Sequence, residues 1–219
     1  MKTTLLTHIV PALPPLAGEA GEYALNLARQ LRDQHGINSQ FILCNPKWDA
    51  PSRIDGFVIR CLRLPNEARL WGMLAGLKDA PEVLLHYDGY GYDQVGIPLW
   101  LVRGIQSWLS DSHGSSTQAR KGFSTVFHEL WKQSSRPWQA AFYVQLLQKR
   151  LAQQLHQLSQ DSFSNTLFGQ LELDAAEAGK ARLIPYSNHL SGPDKFSIAE
   201  EAIVRVRITR RRDAVCQIR

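Results

Sequence analysis

The chain has 219 residues, 44% of them hydrophobic and 21% charged, proportions that exclude a disordered tail or a fibre and leave room for one large globular unit or two cramped ones. No apolar run reaches the roughly 18 residues of a membrane-spanning helix, and Thr7, His8 and Pro11 interrupt the start of the chain before a signal-peptide core forms, so a soluble, cytoplasmic protein is expected. The formal net charge of +5 is concentrated: six of the 25 basic residues and one of the 20 acidic ones lie from residue 205 onward, which leaves 19 of each sign elsewhere, and a neutral body lacks the broad basic face of a nucleic-acid binder.

Residues 3–10 (TTLLTHIV) form a β-rich apolar run that ends in Pro11, Pro14 and Pro15. From Glu22 the period becomes helical, with Ala24, Leu27, Ala28 and Leu31 on one side and Gly36 as a stop signal. Strands are expected at Ser39 to Cys44, Phe57 to Leu62 and Glu82 to Tyr87, with a short helix from about Glu67 to Leu77 between the last two. Pro98 starts an amphipathic helix through about Leu109, residues 110–122 read as a polar linker, and Phe123 to Phe127 is a fifth strand. Pro137 opens the longest helix, in which Val144, Leu147, Leu151, Leu155 and Leu158 share a face while Gln148, Lys149, Gln153, Gln154 and Gln157 point away. A helix over Asn165 to Ala178 and a short strand at Arg182 to Pro185 follow. Strands alternating with helices, without internal repeat, predict an α/β fold: a Rossmann-like, mostly parallel sheet with helices on both faces.

In such a sheet ligands bind at the carboxyl ends of the strands. Three of those ends are polar or glycine-bearing: Pro11 to Glu22, His86 to Tyr92, and His128 to Trp131. Gly18 and Gly21 precede a helix whose N-terminus can face an anion, or they only let the chain turn. Gly89 and Gly91 follow a strand, but position 94 is Gln where a dinucleotide fingerprint needs glycine, so an NAD site is not supported. His86 and His128 each close an apolar strand, where an imidazole can hydrogen-bond a sugar hydroxyl or stabilise a leaving phosphate, or serve as a satisfied structural residue. No zinc-hydrolase spacing accompanies them, no Gly-x-Ser-x-Gly turn is present, and Cys44, Cys61 and Cys216 suggest neither a disulfide framework nor a metal knuckle. No metal or other cofactor is expected. Tyr90, between glycines, is the better aromatic candidate for stacking on a carbohydrate, while Trp100 and Trp138 read as core.

The stretch Pro14 to Ala28 (PPLAGEAGEYALNLA) resembles the first loop and helix of bacterial glycosyltransferases of the GT-B, family 4-like type, whose signature is Gly-Gly-x-Gly-[Asp/Glu]-[Tyr/Phe]. Thr125 to Leu130 (TVFHEL) looks like the segment in which a histidine approaches the transferred sugar, and Leu85-His86-Tyr87 matches a strand end lining the acceptor cleft. The resemblance covers about residues 1–190. It implies one Rossmann-like half, residues 1–186, that holds a sugar or lipid-linked acceptor, facing a second half that grips the nucleotide sugar, with metal-free transfer and retention of configuration. It implies His128 as the catalytic residue, and Gly18, Gly21, Glu22, Tyr23, His86, Tyr87, Gly89, Tyr90 and Glu129 as substrate-binding.

Two departures stand out. Glu19 occupies the place of the family's second glycine, and after Ile184 to Asn188, which looks like the crossing into the second half, only residues 189–219 follow. Residues 187–219 therefore read as a remnant with a basic tail, in which Ile203 to Ile208 alternates like a strand; a solvated tail, such as a shifted reading frame leaves, is preferred to a nucleic-acid or membrane-surface role. The expectation is a sugar-transferase half that needs a donor-binding half from another chain or domain. The alternative is a non-catalytic Rossmann-like binding module.

Overall fold

The computed structural model describes residues 5–16, 18–46, 48, 51–77, 82–111, 121–131 and 140–184. The predicted Ile203 to Ile208 strand, all of the Ile184 to Asn188 crossing but its first residue, Pro137, Trp138, Cys216 and most of the polar linker lie outside them. Eight strands form one sheet: β1 (Leu5–Val10), β2 (Asn38–Leu43), β3 (Arg53–Ile54), β4 (Phe57–Cys61), β5 (Glu82–Asp88), β6 (Gly122–Glu129), β7 (Asp161–Ser164) and β8 (Ala181–Leu183). Their order is β3-β4-β2-β1-β5-β6-β7-β8, and every neighbouring pair is parallel except β3 with β4. The chain thus builds outward from β1 in one direction, returns, and builds outward from β5 in the other, as a Rossmann-like sheet does.

The two directions put helices on opposite faces, because parallel crossovers are right-handed. Helix α1 (Glu19–His35) covers the face carrying Leu6, Leu84 and Val126, burying Tyr23, Leu27 and Leu31 there. Helices α2 (Glu67–Ala75), α4 (Leu99–Ser110), α5 (Ala140–Leu158) and α6 (Leu167–Asp174) share the other face, over Ile9, Val83, Leu85, Tyr87, Phe123 and Phe127. The short α3 (Gly89–Tyr92) links β5 to α4. Strands covered on both sides are buried at nearly every position, polar Thr7, His8 and His86 included, which is why β1 and β5 lack the alternation of a half-exposed strand.

Helix boundaries follow their caps. The Asn66 side chain accepts the Arg69 backbone N–H at 3.0 Å to start α2, and Thr166 does the same for Gly169 at α6. At the end of α1, Gly36 is left-handed at φ 62°, and the N–H groups of Gly36 and Ile37 return to the carbonyls of Arg32 and Leu31.

Some sequence expectations change. The helix at α1 begins at Glu19 rather than Glu22. Segment 89–92, within the polar strand end His86 to Tyr92, is a helical turn, with the Asp88 carboxylate accepting the Tyr90 N–H at 3.2 Å. Strand β3 was not expected; it forms a two-residue hairpin with β4 around Asp55 and Gly56, both at positive φ, the turn that an Asp-Gly pair favours. Strand β7 reads DSFS, too polar for a hydrophobic-run signal, yet all four residues are buried. Its polar atoms find partners: the Ser162 hydroxyl meets His156 Nδ1 at 2.9 Å, and Ser164 accepts the Thr166 N–H at 3.3 Å. In α5 the buried face is rotated from the expected one. Gln148 is buried and Leu147 exposed, because the Gln148 amide donates to the Tyr90 hydroxyl and the Val95 carbonyl, both at 2.9 Å.

Gly56 holds the hairpin at φ 84°, a region where a Cβ is strained whatever the space around it. Gly56→Ala should lower stability by about 1 kcal/mol in urea unfolding, whereas Gly72→Ala, with open space around the new methyl inside α2, should be neutral or stabilising.

Candidate functional site

The sheet's switch point lies between β1 and β5, where the chain leaves the two strands toward opposite faces, the place where ligands bind in sheets of this kind. The Tyr92 hydroxyl spans the divergence, directed at the carbonyls of Ile9 at 3.1 Å and His86 at 2.9 Å. These carbonyls are the groups left where the regular β1–β5 pairing ends, at Ile9 with Leu85. Elements pack closely on the loop that follows β1. A Cβ on Gly21 would fall 2.0 Å from the Ala12 carbonyl oxygen, and one on Gly91 would fall 2.8 Å from Pro11 Cβ. Both glycines let their elements press against the loop that follows β1.

On the α1 side of the sheet, three imidazoles stand in a row. His8 Nδ1 lies 3.0 Å from His86 Nε2, and His86 Nδ1 lies 3.2 Å from His128 Nε2. The far end is Ser39, whose hydroxyl is 3.2 Å from His8 Nε2. Neighbouring rings are near-parallel, at 16° and 27°, and Tyr23 of α1 packs its edge on His128 at 5.2 Å between ring centroids. The row follows the sheet register. Ser39 pairs with Leu6, and His8 is two residues on; His8 pairs with Leu84, and His86 is two on; His86 pairs with Val126, and His128 is two on. Each step moves one strand across and two residues toward the carboxyl edge, the diagonal separation that large side chains can bridge. At the last step the register slips: Tyr87 pairs with Phe127 but Asp88 with Glu129, so His128 is an extra residue in β6, and such a bulge re-aims its side chain.

The row runs from interior to edge. His8 and His86 are fully buried, and His128 is half-buried. Burial and the neighbouring His8 and His128 rings drive the His86 pKa well below the ordinary histidine value, and burial against this cluster lowers that of His128 to about 4. Both rings are therefore neutral near neutral pH. Their shared N–H groups occupy the facing nitrogens, an arrangement for passing hydrogen bonds along a line rather than for converging on a metal about 2.0 to 2.1 Å from each nitrogen. Among the described residues, no group of three or more His, Cys, Asp and Glu is arranged to hold a metal ion.

Of the residues expected at the site, the fold joins Tyr23, His86 and His128 in this cluster. Gly18 is the N-cap of α1 in extended conformation, and a Cβ there would meet only Ala12 Cβ at 4.0 Å. Glu22 is exposed on the first turn with Glu19, and two carboxylates at that helix end compete with an incoming anion for its dipole. Tyr87 lies on the opposite face, buried edge-on against Phe127. Gly89 opens α3, where a Cβ would approach the Gly96 carbonyl to 3.0 Å; Tyr90 is tied to Gln148; Glu129 is exposed beyond His128. Trp100 is partly buried, edge-on to Tyr92. Cys44 and Cys61 are free thiols whose pKa values burial pushes up, which makes them poor nucleophiles. A shallow groove of about 400 Å³ beside Cys61, Arg63 and Arg69 sits at the end of β4, separated from His128 by β2, β1 and β5. His8, the inner ring of the row, is the residue that periodicity alone passes over. Its signal is a titratable side chain inside an apolar strand, repeated in LLHY and VFHE.

Two outcomes test this geometry. Gly21→Ala should cost about 1 to 3 kcal/mol in urea unfolding because the methyl meets backbone, while Gly18→Ala should be tolerated; equal effects would contradict the close approach. For His128, both folded and unfolded forms are neutral well above pH 6.5. As pH falls from there toward about 4, the unfolded chain binds a proton that the folded one refuses. Stability should therefore drop through that window by up to about 1.4 kcal/mol per pH unit for this residue. Unfolding curves of His128→Gln should show a shallower acid loss than the parent; equal slopes would remove His128 as a contributor. The chain matches no protein-family model and no curated protein sequence.

Proposed function

We propose that the chain is the acceptor-side half of a retaining sugar transferase that uses a nucleotide sugar, with His128 meeting the transferred sugar. The observation that carries this reading is the neutral His128 ring at the carboxyl edge of β6, held against Tyr23 and His86 beside the switch point. A neutral imidazole in a partly dry site hydrogen-bonds a hydroxyl or ring-adjacent oxygen without placing a cation beside a sugar that is itself developing positive charge. In the transfer, the bond from the anomeric carbon to the diphosphate oxygen breaks. A bond to the acceptor oxygen forms on the same face, and the acceptor proton leaves with the diphosphate. A second, facing unit would grip the diphosphate. The resemblance of residues 14–28 and 125–130 to family 4-like glycosyltransferases supports the same assignment.

A second reading, a non-catalytic interaction module, draws on one observation. Neighbouring α5 and α6 expose Tyr143, Leu146 and Leu147, and Leu167, Phe168 and Leu171, more large apolar side chains than isolated surface positions explain.

The discriminating experiment titrates the isotope-labelled chain with a panel of nucleotide sugars and free saccharides, followed by NMR. Weak binding that shifts His128 and Tyr23 and disappears in His128→Gln is expected. Tight nucleotide binding would contradict the assignment of the diphosphate to another unit. No response to the whole panel, together with a dimer in light scattering that Leu171→Lys disperses, would replace the transferase with the module.

A further inference from the structure

A neutral imidazole carries one ring proton and so has one donor nitrogen and one acceptor nitrogen; burial holds His86 and His128 in that form, and His8 is sealed as deeply in the same face. With both nitrogens of His8 and of His86 engaged in the row, the hydrogen bonds can run in only two ways. Either every ring donates from Nδ1 toward the edge, or every ring donates from Nε2 toward Ser39. A mixture would set two protons or two lone pairs against each other at some link.

The inner end breaks the tie. Ser39 is buried, and among the described residues its hydroxyl has a single hydrogen-bond partner, His8 Nε2. If His8 donated to Ser39, the hydroxyl's own proton would be left without an acceptor in a dry environment. If Ser39 donates to His8, that proton is satisfied and the oxygen merely keeps spare lone pairs. An unmet buried donor is the costlier alternative. The polarity that follows is Ser39 O–H to His8 Nε2, His8 Nδ1–H to His86 Nε2, and His86 Nδ1–H to His128 Nε2. His128 Nδ1, which has no partner among the described residues, then carries the last proton.

We propose that Ser39, His8 and His86 are positioning residues that set the tautomer of His128, so that the ring offers an Nδ1–H donor at the open end of the row and selects a ligand presenting an oxygen acceptor. His128 in this state is not a general base, because its only bare nitrogen accepts from His86. The matching ligand group is a hydroxyl, ether or phosphoryl oxygen. That the oxygen belongs to a sugar rests on the function proposed above; the tautomer does not.

The test reads the free protein first. Long-range proton–nitrogen correlation spectra of the histidine-labelled full chain at neutral pH distinguish protonated from bare ring nitrogens, with each ring assigned by its loss in a single variant. Protonated Nδ1 and bare Nε2 are expected at positions 8, 86 and 128, the reverse of the form prevailing in free histidine. Ser39→Ala removes the preference and should turn the His128 signal into a mixture of both tautomers, while Ser39→Thr, which keeps the hydroxyl, should restore the parent pattern. Protonated Nε2 at His128 in the parent chain overturns the proposal, and so does a pattern unchanged in a folded Ser39→Ala protein. If Ser39→Ala does not fold, the parent and Ser39→Thr spectra still decide the polarity. A saccharide titration that fails while the tautomers are as expected would overturn the sugar reading and leave the row standing.

Discussion

The site depends on one constraint: polar ring atoms sealed inside a parallel sheet must be satisfied by one another. Three imidazoles on one face would each carry a large desolvation penalty alone. Placed one strand across and two residues up from each other, they share protons at 3.0 and 3.2 Å and end on a serine hydroxyl. This makes the cluster demanding, because a ring displaced from the diagonal strands a nitrogen in each neighbour. It also couples the sheet's interior to its edge. A hydroxyl in β2 and an imidazole at the end of β6 belong to one hydrogen-bonded line across four strands.

The surrounding architecture keeps that line in register. Parallel pairing fixes the stagger of β2, β1, β5 and β6, and α1 lays Tyr23 across the outer two rings. Gly21 brings the first turn of α1 onto the Ala12 carbonyl, and Gly91 brings α3 onto the Pro11 ring, so α1 and α3 both close tightly on the loop that follows β1. Tyr92 ties the diverging ends of β1 and β5 from beneath. The bulge in β6 then turns its extra residue, His128, toward His86 as regular pairing ends.

Several features escape a reading of periodicity for identifiable reasons. Gln148 lies on the buried side of α5 because its amide has two acceptors in the α3 region, so a polar residue displaces Leu147 from the face its spacing suggested. Strand β7 is invisible to a search for apolar runs because its serines are satisfied by His156 and the Thr166 backbone, and Phe163 alone supplies its apolar packing. The β3–β4 hairpin was announced only by Asp55-Gly56, a two-residue signal easily lost between longer elements. Glycines that look like an anion cradle in the chain are of two kinds in the fold. Gly21 is required by packing, and Gly18 meets almost nothing.

The linear chain by itself determined the alternation of strands and helices, the αL stop at Gly36, the boundaries of α2 and β5 to within a residue or two, and the polar character of the three strand ends at the switch point. These are local consequences of side-chain period and backbone preference. Tertiary structure alone decided that His8 joins His86 across 78 positions of sequence and His86 joins His128 across 42. It likewise decided that Ser39 closes the inner end of the row. Such contacts depend on strand order and on the two-residue stagger between strands, quantities set by how long-range parallel pairing and the two helical layers bury the same sheet together, and no short window of sequence carries them.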